Sequence, residues 1–520
     1  MKSHHDKHPF LHLMGGMVAL AMLLPLGWLA LYALELWDTA ASSVLSDSST
    51  LQALWNGLSL ALAVAATCVV IAVPLAWLTH ATDMPFRKFF RVALNLPLAV
   101  PSYVSGFVVV AAAGPRGWIQ EVVEPLGIQM PEVYGFNGAY LALLFTFPYV
   151  LIPLQAALGR MDSRVWEAAR SLGSSPVRAF FTVVLPNLRG AIGAGALMVA
   201  LYVMSDFGAV SLLRFKSLSY VIYVRYQSLF DKDEAVFLAL ILAMVAICFV
   251  LVYRVIRGSQ AGSSKGVVQR WSTVELGVWR WPAFAFSCLV TAVGVGLPVL
   301  TVGIWLVRGL KLGNEIGGLA TYAWSTLWIG LVAAVITVLI ALGPALLERH
   351  GNPHASRVVH LSSHVGYALP GIVVALSLVF FSIRFAGPFY QTAPMLIFAY
   401  VVLFLPLALG AVEDGLRGQN PRFYDAARSL GSSPLRAWTR VIIPGLKGAV
   451  VAGFLIVFMS VIKELPATLL LSPLDFGSLA TRIWSLTEEA FFTAAAPPVL
   501  LLLLMASLAL IPRTDSGVAR

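Results

Sequence analysis

The sequence predicts an all-α integral membrane protein of about twelve transmembrane helices, arranged as two parallel six-helix repeats. Three observations lead there. Of 520 residues, 59% are hydrophobic and only 12% charged, with a mean hydropathy of +0.84, far too apolar for a soluble chain of this length. Many stretches exceed about 18 apolar residues, enough to cross a bilayer as helix. In lipid every backbone amide must be paired internally, and runs this continuous mean helices rather than a closed barrel. Finally, the chain says one thing twice: Ala168–Pro176 and Ala426–Pro434 both read AARSLGSSP. A polar segment punctuated by Gly and Pro, repeated inside an oily protein, points to two matching surfaces.

In chain order the spans fall at 14–34, 56–79, 92–113, 138–159, 189–212, 235–256, 281–306, 323–347, 358–383, 392–412, 447–470 and 492–512. The first is long for a signal peptide and lacks a small-x-small exit, so it reads as a retained helix. The second and eighth are repeat mates, Leu58–Leu78 matching Leu327–Leu347. The third and ninth share Ala99-Val100-Pro101 and Ala368-Leu369-Pro370, and the fourth and tenth share Phe147-Pro148 and Leu405-Pro406. The fifth and eleventh come after the repeated loop, and the sixth and twelfth close each half. Prolines inside spans, Pro74, Pro101, Pro148, Pro370 and Pro406, are positioned to kink helices around a pathway.

An even number of helices per half makes the halves parallel repeats, related by a pseudo-two-fold axis along the membrane normal. Residues 1–256 form the first repeat and 281–520 the second. The Gly/Ser-rich stretch 257–280 is a cytoplasmic linker. Lys and Arg concentrate on the connections that share a side with both termini, so the termini are cytoplasmic. The net charge of +10 is therefore topology rather than a nucleic-acid surface. Cys68, Cys248 and Cys288 sit singly in apolar stretches and read as small hydrophobes, neither a zinc site nor a disulfide framework.

Both copies of the repeated loop lie between the fourth and fifth helix of a half, on the inner face. Asp162 and Asn420 are suited to N-cap a helix, and Pro421 suits a first helical position. Gly173 and Gly431 are the expected left-handed stops. Ser175-Pro176 and Ser433-Pro434 restart a second short helix, which Pro186 and Pro444 close. The expected unit is helix, sharp turn and second helix along the membrane surface. A partnerless interfacial helix is the plainer alternative, but it has no need of the same letters twice.

These residues carry a resemblance. The pattern E-A-A-x3-G-x9-I-x-L-P resembles the EAA loop of permease subunits of bacterial ABC importers. The first copy supplies Glu167, Ala168, Ala169, Gly173, Val183, Leu185 and Pro186; the second supplies Asp425, Ala426, Ala427, Gly431, Val441, Ile443 and Pro444. Asp for Glu leaves open whether the two sites are equivalent. The resemblance implies the type I importer permease fold in a bacterial inner membrane, multi-pass. It also implies that the loops dock two copies of an ABC ATPase subunit, which binds ATP and Mg, while a periplasmic or extracellular substrate-binding protein delivers cargo from outside. Two permease domains in one polypeptide resemble the ferric-iron permeases, with fused thiamine permeases as neighbours. The string KELPATLLL, Lys463–Leu471, resembles the second half of ferric permeases, implying ferric iron as cargo with thiamine or polyamine as alternatives.

Other chemistry is sparse. Asp206, Lys463 and Glu464 occupy paired repeat positions near outer helix ends, where intramembrane charges are costly and often line a pathway or gate. Local pairing or snorkelling is the competing reading. All nine histidines, His4, His5, His8, His12, His80, His350, His354, His360 and His364, map to the inner side, so no imidazole metal site awaits cargo from outside. His8 and His12 at helical spacing read as solvated tail. No G-x4-G-K-[ST] loop occurs, so the chain itself is no ATPase by that route, holds no cofactor, and draws its energy from a partner. An ion-coupled secondary transporter also has twelve spans in two repeats, but it needs midplane charges that are nearly missing here. A membrane-embedded enzyme would need a catalytic cluster, and none is legible.

Overall fold

The computed structural model describes residues 9–127, 129–227, 232–258, 273–313, 317–350, 353–420 and 422–510. Pro421, His4, His5, His8 and most of the linker 257–280 lie outside these residues. Among the described residues there is no strand, only an isolated bridge between Thr82 and Val274.

Among the described residues, eight helices are long and apolar enough to cross a membrane: His12–Glu35, Ser48–Ala81, Phe136–Arg160, Pro176–Ser205, Lys232–Ile256, Gly277–Lys311, Leu319–Glu348 and Ala393–Gly418. Two more are bent pairs, Arg87–Ala99 with Ser102–Leu126 at 93° and Trp438–Gly445 with Lys447–Ile462 at 59°. The last two expected spans are shorter apolar helices, Gly371–Phe385 and Phe492–Ser507. All twelve expected segments are thus helical, but the third, fifth, ninth and eleventh are not single rods; at the third and ninth the cause is proline. Pro101 and Pro370 have no N–H to donate and hold their own φ near −60°, so the chain turns there and a new helix starts at the next residue.

The compact units do not divide where the repeats do. One unit joins the N-terminal stretch, up to Ser42, to Gly317–Arg482. In it Leu319–His350, Ala393–Gly418 and Lys447–Ile462 pack on one another, and Pro9–Glu35 lies against Leu319–His350 and Gly371–Phe385. Gly15 makes that approach close, since a Cβ there would stand 2.7 Å from Leu347 Cδ2. Ser377 Oγ donates to Pro25 O at 2.6 Å, and Arg384 pairs with Glu35 at 2.8 Å. The first helix of the chain therefore completes the core of the second repeat.

The other unit comprises Ser43–Ile316 with Ile483–Leu510. Ser48–Ala81, Pro148–Arg160 and Leu185–Ser205 form its centre. The Asp47 carboxylate caps the first of these, accepting from Ser49 N at 2.8 Å. Leu297–Lys311, the opening helix of the second repeat, packs here against Phe492–Leu510, and Trp305 donates from Nε1 to Ala111 O at 2.9 Å. A fully apolar helix can bury its stripe against any complementary surface. Which repeat it completes is a tertiary choice that spacing does not encode.

Candidate functional site: two repeated loops

Each loop begins as a short capped helix. In the first, Ser163–Ser171 starts where Asp162 Oδ1 accepts from Arg164 N at 3.1 Å. Its end is a Schellman turn. Ser174 N donates to Ala169 O at 3.1 Å, Gly173 N to Arg170 O at 3.0 Å, and Gly173 takes φ +82°. The second loop repeats this bond for bond. Asn420 Oδ1 accepts from Arg422 N at 3.0 Å and caps Arg422–Ser429. Ser432 N donates to Ala427 O at 3.1 Å, Gly431 N to Arg428 O at 3.0 Å, with Gly431 at φ +83°. The recurring arginine clasps its own turn in each copy. Arg170 donates to Ser174 O at 2.5 Å, and Arg428 to Ser432 O at 2.7 Å.

Beyond the turn the chain departs from expectation. Ser175 Oγ accepts from Arg178 N at 3.2 Å and opens a helix at Pro176, as anticipated. That helix does not stop at Pro186. It passes through a π-turn at Phe180–Val184 and continues to Ser205. A wide turn shifts the hydrogen-bond register by one residue, which leaves room for a proline that has no N–H to donate. The second copy has the same π-turn, Trp438–Ile442, but bends beyond Pro444 at Leu446. The second arm of the first loop is therefore the base of a membrane helix, whereas in the second loop the 59° bend separates the arm from Lys447–Ile462 close to Pro444, as expected.

The inner side of each loop is anchored and the outer side is bare. Trp166 is buried, and Trp77 stands between it and Phe180 at ring distances of 5.0 and 5.3 Å. Tyr424 and Trp438 are the repeat mates of Trp166 and Phe180 and lie 5.5 Å apart. By contrast Leu172 and Leu430, each just before the turn glycine, are both 86% exposed. Two large apolar side chains thus stand exposed at matching tips, on turns locked by the same bonds. The sequence pattern singles out the glycines beside them and passes over the leucines. Their identity within AARSLGSSP is the signal that points to them.

Glu167, Ala168, Ala169, Asp425, Ala426 and Ala427 lie on the short helices leading to these turns. Pro186 and Pro444 lie at the bases of the helices that come next.

The charged candidates lie elsewhere, Asp206 in one unit and Lys463 and Glu464 in the other. Asp206 breaks the fifth span. Its Oδ2 accepts from Ala209 N at 3.0 Å and Val210 N at 3.3 Å, and the Ser102 hydroxyl bonds to the same carboxylate. It thereby caps the short buried helix Gly208–Leu212. Glu464 is its counterpart, accepting from Ala467 N at 3.3 Å at the start of Pro466–Leu471. Each break abuts the other broken span of its own repeat. A Cβ on Gly208 would stand 2.7 Å from Ser102 Oγ, and one on Gly371 2.6 Å from Glu464 Oε1. Each carboxylate thus has a definite local duty, capping the short helix after its break beside the other broken span. Lys463 ends Lys447–Ile462, and Ser205 holds its place in the first repeat. Among the described residues, one group of potential metal donors, Glu348, His360 and Glu413, is also assembled by the fold.

Comparison with known proteins agrees with the duplicated design. The profile of the family described as binding-protein-dependent transport system inner membrane component matches twice, at residues 72–257 and 338–513. An Fe(3+)-transport system permease protein of Haemophilus influenzae is 31% identical over 91% of this chain and 92% of its own. A probable ABC transporter permease protein of Sinorhizobium fredii is 24% identical over 82% of this chain and 81% of its own. A sulfate transport system permease protein of Synechococcus elongatus is 34% identical, but over only 25% of this chain and 46% of its own.

Proposed function

We propose, from the premise that this chain belongs to the family of binding-protein-dependent transport system inner membrane components, that it conducts ferric iron inward. It is the multi-pass permease of an ABC importer, and such a permease works with a substrate-binding protein and an ATPase. The observation that carries the docking reading is the pair of identical Schellman turns, each presenting one exposed leucine, at Leu172-Gly173 and Leu430-Gly431.

In this reading two ATPase subunits bind, one on each loop, with both chain termini on the same cytoplasmic side. ATP and Mg are held by those subunits, and no cofactor is held by this chain. When the subunits close on ATP they pull on the two loops. The Schellman bonds make each loop a rigid handle, and the π-turn joins the first handle directly to Leu185–Ser205. Movement of that helix shifts Asp206 and the short helix it caps, at the break facing Ser102. The second loop reaches Glu464 and Lys463 through Lys447–Ile462. Asp206, Lys463 and Glu464 serve in this account as gate residues, and hydrolysis resets them.

Ferric iron as cargo is supported by the Haemophilus relative, which matches along nearly its whole length, and by the Lys463–Leu471 string. Uptake of labelled ferric iron in cells lacking this gene and other iron systems, with and without the gene restored, tests it. Loss and rescue support the cargo. Unchanged uptake overturns iron and turns the test to thiamine, polyamines and sulfate.

A further inference from the structure

We propose that Glu348, His360 and Glu413 form a binding site for a divalent first-row transition metal ion at the root of the second loop. One ligand atom from each lies within 4.8 Å of the others. His360 Nδ1 is 3.1 Å from Glu413 Oε1 and 3.9 Å from Glu348 Oε2. The three come from different segments. Glu348 is near the end of Leu319–His350, His360 lies on Pro353–Ser363, and Glu413 is near the end of Ala393–Gly418. The Glu413 side chain is only 7% exposed, so its charge needs a cation or a strong donor beside it.

His360 meets that need with one ordinary bond, and the remaining cationic neighbour is held loosely. Arg417 Nη2 stands 3.4 Å from both Glu348 Oε1 and Glu413 Oε2, and its Nη1 is 3.8 Å from Asp414 Oδ1. These are long contacts for a guanidinium, and the Arg417 side chain is 63% exposed, free to swing outward. The His364 ring lies 4.3 Å from that of His360, tilted by 43°, and its Nδ1 bonds to His360 O at 2.8 Å, which fixes the His364 ring beside the site. One imidazole with two carboxylates is a donor set suited to iron, manganese or zinc rather than to calcium. Drawing the donors in to bonds of about 2.0–2.2 Å asks movement chiefly of Glu348, whose side chain is 38% exposed. His360 gives up its Nδ1 proton to solvent when it ligates.

The repeat supplies an internal control. At the positions matching Glu348, His360, His364, Glu413 and Arg417, the first repeat has Thr79, Arg91, Asn95, Gln155 and Gly159. There Arg91 Nη2 donates to Thr79 O at 2.9 Å and Asn95 Nδ2 to Gln155 Oε1 at 3.3 Å. None of these five positions carries a histidine or a carboxylate, although His80 lies beside Gly159, so the fold does not require the Glu–His–Glu set. An ion there would clamp three segments just before Gln419, which donates to Ile442 O at 3.1 Å, and Asn420, the cap of the second loop. The site stands whatever the cargo.

The test is a titration of the purified full chain with Mn2+ alone, read by loss of the free-ion EPR signal. The chain carries no affinity histidines, and His4, His5, His8 and His12 are replaced by Ser. One saturable ion per chain is expected. His360→Gln should weaken it roughly tenfold or more, since even outer-shell changes cost that much. Arg417→Ala should tighten it severalfold by removing the competing cation, a change that general loosening of the fold does not produce. Absence of saturable binding, or binding unchanged in His360→Gln, overturns the site.

Discussion

Replacing the turn glycines separates a loop that merely connects from one that transmits force. At Gly173 and Gly431 the backbone stands at φ +82° and +83°, and a Cβ built on either meets nothing within 4 Å. Alanine therefore brings no clash, and its cost is the left-handed backbone alone, about 1–2 kcal/mol at each position. That corresponds to a population factor of about 5–30 for the ordered turn. Proline is far worse. It cannot reach positive φ, and it deletes the bond from the glycine N–H to Arg170 O or Arg428 O, worth about 1 kcal/mol more. Both turns are exposed, so the membrane core should survive either change. The assay is ATP-driven uptake beside abundance and melting temperature in detergent. We expect Gly173→Ala and Gly431→Ala each to weaken ATPase association about 5–30-fold. Gly173→Pro with Gly431→Pro should abolish uptake at normal abundance. Intact uptake in the double proline variant, in a stably folded chain, refutes the coupling role. Unequal effects of the two alanine variants would show that Glu167 and Asp425 mark unequal sites.

Leu172→Ser and Leu430→Ser should leave melting unchanged, both side chains being 86% exposed, while ATPase co-purification falls; unchanged co-purification removes the leucines from the contact. Asp206→Ala strips the cap from Gly208–Leu212 and should cost about 0.5–2 kcal/mol, seen as a lower melting temperature, with Asp206→Asn milder because an acceptor oxygen remains. Asp47 is held below its usual carboxylate value by the Ser49 hydroxyl and amide, with Arg225 adding to this. Because the folded-state value is the lower one, this stabilisation is present above about pH 3.9 and is lost as pH falls through the folded value. The acid-side fall in melting temperature should therefore shrink in Asp47→Asn, and an unchanged profile would show that the cap is not titrating.

The repeated loops were legible because their information is local. A cap at Asp162 and Asn420, a left-handed glycine and a Ser-Pro restart are chemical necessities of a chain that turns there, and all appear as read. The twelve segments were legible for a similar reason, since apolar length is written residue by residue. The course of the chain after the turn was not. Pro186 reads as a terminator, yet a π-turn over Phe180–Val184 carries the helix past it. Nor does any spacing announce that the stretch up to Ser42 completes the second repeat, or that Leu297–Lys311 packs with the first. Asp206 and Glu464 stand out in the sequence as costly intramembrane charges, but their capping bonds and the abutting breaks at Ser102 and Gly371 are tertiary facts. Glu413 is 53 positions beyond His360, and only the fold makes it a neighbour of Glu348 and His360.

The most direct test of the account is the number of ATPase subunits bound per chain, measured by native mass spectrometry of the detergent-purified complex. Two subunits on the unaltered chain, with loss of binding when Gly173→Pro and Gly431→Pro are combined, is the predicted result. A single subunit on the unaltered chain, or two that persist in the double variant, would contradict the claim that the repeated turns are the docking sites.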